Sequence, residues 1–273
     1  MNTPQQINNN NISTAQQLYM KRHKQHHHFV TLMRLLVLIS FLILWEVAAQ
    51  MKWIDPFFFS SPSNVFTYFI SMLVDGSFFK HTGITLFETL VSFMLITVIS
   101  LVFSVLLWYS KTFADIIEPY LVVLNSLPKS ALAPLIIVWL GTGTDTIIVA
   151  GISVAVFGSI INLYTGFKEA NKEKIKLITT LGGNRFVALK KVVLPSSIPM
   201  IISNMKVNIG LALVGVIIGE FLAARKGLGY LIIYGSQVFQ LNMVITSIII
   251  LCIIAMGLYQ AIHFLEHWYL KHK

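Results

Sequence analysis

The chain has 273 residues, of which 56% are hydrophobic and only 11% charged, with a net charge of +9. A soluble domain is roughly one quarter charged, so this balance excludes an ordinary soluble fold and points to a polytopic membrane protein. The positive charge suits basic loops at a membrane better than a nucleic-acid surface, and no nucleic-acid partner is expected.

Residues 1–28 are rich in Asn and Gln and end in KRHKQHHH, which reads as a disordered polar tail closed by a basic flank. Six spanning helices are expected after it, at about 31–50, 84–108, 117–140, 146–166, 197–221 and 243–265, since about 20 apolar residues cross a bilayer. The third is broken by Pro128 and Pro134. Glu46, in the first, has either water or a partner in the bundle to reach. Cys252 lies in the apolar run IIILCIIAM of the sixth and is expected to pack in the interior; as the only cysteine it makes no intrachain disulfide.

Basic residues set the orientation. With both termini inside, the inner segments hold fourteen of the twenty Lys and Arg and the outer segments four, Lys52, Lys80, Arg225 and Lys226. This places the charged 167–196 loop in the cytoplasm. Within it, Asn171 is suited to cap a short helix over 172–181 that carries Ile175, Ile178 and Leu181 on one face. Gly182-Gly183 permit the positive φ that ends a helix, and Asn184 caps a second one with Phe186, Leu189 and Val193 as its apolar set. Pro195 marks the entry to the fifth span. Such a helix–turn–helix fits either a groove on a partner protein or the lipid headgroups.

Four stretches carry a family resemblance: SSPSNV (Ser60 to Val65), NSLPKSALAPLIIVWLGTG (Asn125 to Gly143), the loop exit from Gly182 to Pro195 with KVVLPSSIP, and GEFLAARKGLGYLI (Gly219 to Ile232). Together they resemble the sulfonate/taurine/nitrate-type branch of ABC-importer permeases. The resemblance implies the all-α type I permease fold, multi-pass in the cell membrane of a bacterium. Residues 29–80 would form the first span with an extracytoplasmic segment, and 81–268 the transmembrane core. It implies a permease subunit rather than an enzyme, forming the path for a small anion such as an aliphatic sulfonate, taurine or nitrate. A thiamine-precursor pyrimidine is the alternative within the class; a gradient-driven secondary transporter is the alternative outside it.

The implied partners are a cytoplasmic ABC ATPase, an extracytoplasmic solute-binding protein and a second copy of the permease. None of the sixteen glycines is followed by lysine, so the chain has no phosphate loop; ATP and Mg would be used by the ATPase, and no cofactor is expected on this chain. Its coupling contact would involve Glu173, Lys176, Ile178, Leu181, Gly182, Arg185, Phe186, Leu189, Leu194 and Pro195. Two positions depart from the family pattern. Lys176-Leu177-Ile178 stand where the family has Glu-Ala-Ala, leaving Glu173, one turn upstream, to supply an acid, and Glu88 stands where arginine is usual.

Candidates for the substrate path are the polar residues within spans: Asn125, Lys129, Asn162, Asn204 and Asn208. Lys129 and Lys206 either give the path an anion-friendly potential or extend to the headgroups. Glu220, near the outer surface, is within reach of Arg225 or Lys226, as a structural pair or a docking edge for the binding protein rather than a substrate ligand. His263 and His267 have i,i+4 spacing that zinc can use, but the only acid near them, Glu266, is not in the right frame for a zinc site.

Overall fold

The computed structural model describes residues 14–271, and among them every regular element is helical. The chain divides into two compact units, residues 1–63 and 64–273.

In the first unit, α1 runs Thr14–Gln50 without interruption. The expectation of disorder through residue 28 is therefore corrected from Thr14 onward; residues 1–13 lie outside the described residues. No Gly or Pro occurs between Thr14 and Gln50, and the Gln, Leu, Met, Lys and Arg of the polar part are good helix formers. The apolar part, Phe29–Gln50, is long enough to span a bilayer. α2 (Pro56–Phe59) is one turn, capped by Asp55, whose carboxylate accepts from Phe57 N–H at 2.9 Å. Glu46 is held by groups of this unit rather than by a helix of the bundle. It accepts from the Ser63 N–H at 3.0 Å, the Ser63 hydroxyl at 2.9 Å and the Gln50 amide at 2.8 Å.

α3 (Pro62–Val74) leads to the second unit, in which α4 (Ser77–Tyr109), α7 (Thr144–Lys168), α10 (Leu194–Ala223) and α12 (Leu241–Lys271) are the long apolar helices. The short link between α3 and α4 is tied by Asp75, which accepts from Ser77 N–H at 2.8 Å; the Ser77 hydroxyl and N–H hold its carboxyl below the usual range.

α7 packs between α4 and α10. The approach is close because the facing residues are small. A Cβ on Gly215 would lie 2.8 Å from the Gly151 Cα, and one on Gly151 would lie 2.6 Å from the Ser92 hydroxyl. Hydroxyls of α4 also donate across this contact, Ser104 to the Ile160 carbonyl at 2.9 Å and Ser92 to Ile148 at 3.3 Å. In lipid the tails are as apolar as the side chains, so close packing and such bonds hold helices together where water exclusion does not.

The expected third span is two helices, α5 (Lys111–Ser126) and α6 (Lys129–Leu140), bent 98° from each other. Pro128 forces Leu127 into extended backbone (ψ 140°) and lacks the N–H that would continue α5. Pro134 sits inside α6 and Pro119 inside α5. Among the described residues, five helices are long and apolar enough to span, six if this bent pair is counted as one. Cys252 is exposed on α12, not packed in the interior as expected. A helix whose residues are apolar all round gives the sequence no signal of which face is covered.

Candidate functional site

The loop from Lys168 to Leu194 folds as the sequence predicts at its caps. α8 (Lys172–Thr180) starts at Asn171, whose side chain accepts from Glu173 N–H at 2.9 Å and Lys174 N–H at 3.0 Å. It ends in a Schellman motif. Gly182 has φ +85°, and Gly183 N–H returns to the Ile178 carbonyl at 2.9 Å. A Cβ on Gly183 would lie 2.9 Å from that same oxygen, so both glycines are required, one for its dihedral and one for space. α9 (Arg185–Ala188) starts at Asn184, which accepts from Val187 N–H at 3.0 Å.

Pro195 stands in the first turn of α10, as expected, but no break precedes it. Arg185 to Ala223 is one helical run, with a π-helical segment at Leu189–Val193 in which Leu194 N–H reaches the Leu189 carbonyl. A proline ring collides with the carbonyl four residues back, here Lys191; widening the turn relieves that collision and keeps the rod continuous.

The expected apolar seat separates into two sets. Leu189 is 4% exposed and, with Phe167, Ala170 and Val193, forms a core that roots the loop on α7. Leu181 is 75% exposed and Phe186 57%, while Ile178 is partly covered. Leu177 is exposed beside them and was absent from the predicted set; its i,i+4 relation to Leu181 was the available signal. Glu173, Lys176 and Lys190 are exposed around this ridge, and Leu194 and Pro195 are partly covered at its base.

Arg185, expected in the coupling contact, has partners within the chain. Its guanidinium donates to the Trp108 carbonyl at 2.7 Å, with its carbon 5.2 Å from the centre of the indole ring. Nearby, Lys168 pairs with Glu118 at 3.5 Å and sits 4.3 Å over the Tyr164 ring. Both contacts edge a cavity of about 660 Å³ between the loop and the ends of α4, α5 and α7.

The polar residues proposed for the path divide into buried and exposed ones. Asn204 and Asn208 are buried, and both amides donate to the Ser159 hydroxyl, at 2.7 and 2.8 Å, pinning α10 to α7. Asn125 and Asn162 are exposed on the chain. Lys129 donates to the Leu124 carbonyl at 2.9 Å and the Asn125 carbonyl at 2.5 Å, satisfying acceptors at the end of α5 where Pro128 stops the ladder. Lys206 pairs with Glu266 of α12, and His263 approaches both, 3.3 Å from the lysine and 3.2 Å from the glutamate.

Glu220 is 0% exposed and makes no ion pair with Arg225 or Lys226, correcting the expected pairing. It instead closes the start of α11 (Leu228–Gln237). It accepts from Gly229 N–H at 2.5 Å and from the Thr85 hydroxyl of α4 at 2.7 Å. Thr85 in turn accepts from Leu228 N–H at 2.8 Å, and His81 from Gly227 N–H at 3.0 Å. The unpaired donors at this helix start are thus met by side chains of α4 and α10 rather than by a local cap. Gly227 has φ +114°, and a Cβ there would lie 2.3 Å from the Glu220 carboxylate.

Residues 96–265 match the family model described as "Binding-protein-dependent transport system inner membrane component". The chain belongs to this family. It is a type I ABC-importer permease, a multi-pass protein of the cell membrane and a transport subunit rather than an enzyme. It is 27% identical to the formylaminopyrimidine transport permease protein of Halalkalibacterium halodurans over 69% of this chain and 75% of that one. It is 23% identical to the taurine transport system permease protein of Escherichia coli over 78% of this chain and 80% of that one. A solved bacterial ABC transporter involved in import of the acidic polysaccharide alginate shares the fold, with TM-score 0.65 and 12% identity over 92% of this chain and 98% of that one.

Proposed function

We propose that this permease forms the path for a small solute delivered by an extracytoplasmic binding protein, as one half of a permease homodimer. In this reading both termini and the 167–196 loop are cytoplasmic, and the loop seats on an ABC ATPase that supplies the ATP and Mg chemistry. The observation that carries it is the loop's division of labour: Leu177, Leu181 and Phe186 stand exposed on capped turns, while Leu189 and Val193 fix those turns to α7. Exposed apolar side chains on a rigid base suit a protein groove, and a base without slack delivers the partner's displacement to α10.

For the solute, the first reading is a small anion such as taurine, an aliphatic sulfonate or nitrate. A thiamine-precursor pyrimidine is the second, supported by the higher identity to the formylaminopyrimidine permease and by the engagement of Lys206 with Glu266. Purifying the chain from its native membrane, identifying the proteins that accompany it and determining the ligand of the binding protein tests both. An ATPase with a sulfonate- or pyrimidine-loaded binding protein is the expected result. A chain that purifies alone and transports on an ion gradient would overturn the proposal.

A further inference from the structure

The cavity of about 660 Å³ behind the loop has a lining of two kinds. Its floor is apolar and buried: Leu107 of α4 and Tyr164 and Phe167 of α7 are each no more than 8% exposed. Its rim is charged. Lys111, Lys168, Lys172 and Arg185 stand against only two acids, Asp115 and Glu118. Lys168 pairs with Glu118, whereas Lys111, Lys172 and Asp115 enter no ion pair among the described residues. Even with Asp115 set against one of the lysines, the rim keeps an excess of positive charge. Cations gathered around a low-dielectric floor repel one another and focus their field on an anion.

The level of the cavity selects the kind of anion. It lies where α4 and α7 end and α5 starts, the depth at which spanning helices meet lipid headgroups. Trp108 and Tyr164, on its wall, carry the amphipathic rings favoured at that depth. Basic pockets between helices at a membrane face take phosphate headgroups. Arg185 uses one N–H of its planar fork on the Trp108 carbonyl and keeps others for phosphate oxygens.

We propose that this cavity is a phosphate site, held by Lys111, Lys172 and Arg185, which takes the headgroup of an anionic phospholipid or the phosphate of a soluble compound. Its volume falls in the range of roughly 300–1,000 Å³ usual for ligand pockets. The site lies behind the exposed ridge of the loop, not on it. Lys172, Ile175 and Thr179 of α8 line the cavity, while Leu177 and Leu181 stand exposed on the other side of the same helix. Lys172 and Leu181 are nine residues apart, which at about 3.6 residues per turn puts them half a turn out of phase. A phosphate bound here ties α8 to the start of α5 and leaves the ridge free.

The test reads hydrogen exchange over residues 172–181 of the full chain in lipid nanodiscs. The discs hold phosphatidylcholine alone, phosphatidylcholine with phosphatidylglycerol, or phosphatidylcholine with inorganic phosphate added to the buffer. Slower exchange with phosphatidylglycerol assigns the site to a lipid headgroup, and slower exchange with inorganic phosphate assigns it to a soluble ligand. Either protection is expected to be lost in the double variant Lys111→Gln with Lys172→Gln. It should persist in Lys174→Gln with Lys191→Gln, which removes the same charge from residues that do not line the cavity. All four lysines are exposed, so both variants are expected to fold. No protection by either anion, protection that survives the first variant, or protection that both variants lose alike would each overturn the proposal.

Discussion

Arg185 donates its guanidinium to the Trp108 carbonyl at 2.7 Å, fastening the turn after Gly182 to the end of α4. The bond joins residues 77 apart in sequence and satisfies an acceptor at a helix C-terminus, where a cation is favoured. Arg185→Ala is expected to leave membrane insertion intact but loosen the loop, read as more ATP hydrolysed per solute imported in vesicles with the partner subunits. Arg185→Lys should recover part of the loss, since a lysine keeps the charge but not the planar fork and its stacking on the indole.

Leu181 and Leu189 separate binding from folding. Leu181→Asp is expected to abolish co-purification of the ATPase while leaving the thermal unfolding of the permease unchanged, because the side chain is 75% exposed. Leu189→Ala, at a site only 4% exposed, should destabilise the loop by about 2–5 kcal/mol and appear as early unfolding with or without the partner.

Gly182→Val places a β-branched residue at φ +85°, where a Cβ costs roughly 1–2 kcal/mol or more. Transport-coupled ATP hydrolysis is expected to be lost and insertion kept. Normal coupling in this variant would show that the Schellman turn is not required.

Ser159→Ala leaves the Asn204 and Asn208 amides buried without the acceptor they share. Each stranded group costs about 1–3 kcal/mol, so the α7–α10 contact should weaken, measured as a lower unfolding temperature in detergent. Asn204→Leu with Asn208→Leu removes the donors as well and is expected to cost less than Ser159→Ala alone.

Thr85→Val removes both the donor to Glu220 and the acceptor for Leu228 N–H. Faster hydrogen exchange is expected across residues 228–237, with the core helices protected as before.

Much of this was legible in the chain. Asn171, Gly182 and Asn184 act through backbone rules that operate within a few residues, so their spacing was sufficient. Long apolar runs likewise announced their helices. What failed depended on partners distant in sequence. Glu220 was expected beside Arg225 and Lys226 because they are near in sequence, yet its donors come from Thr85 and from the Gly229 N–H of α11. Asn204 and Asn208 were read as path residues because polar groups in a span usually mark function; their shared bond to Ser159 on the facing helix was not legible in the sequence. Pro195 read as a boundary, since no local rule tells a broken helix from one that widens by a residue.

That widened turn sets an angle. A π segment takes one residue more than an α-turn, so side chains before Leu189 are rotated relative to those after Val193 by about 100° from where an unbroken α-helix would place them. The direction in which Phe186 faces is thus indexed to the buried face of α10 by a single surplus residue. Removing one residue from 189–193 would leave a helix, but one that presents the wrong side to whatever meets it, much as a key cut correctly and turned in its bow no longer meets the wards.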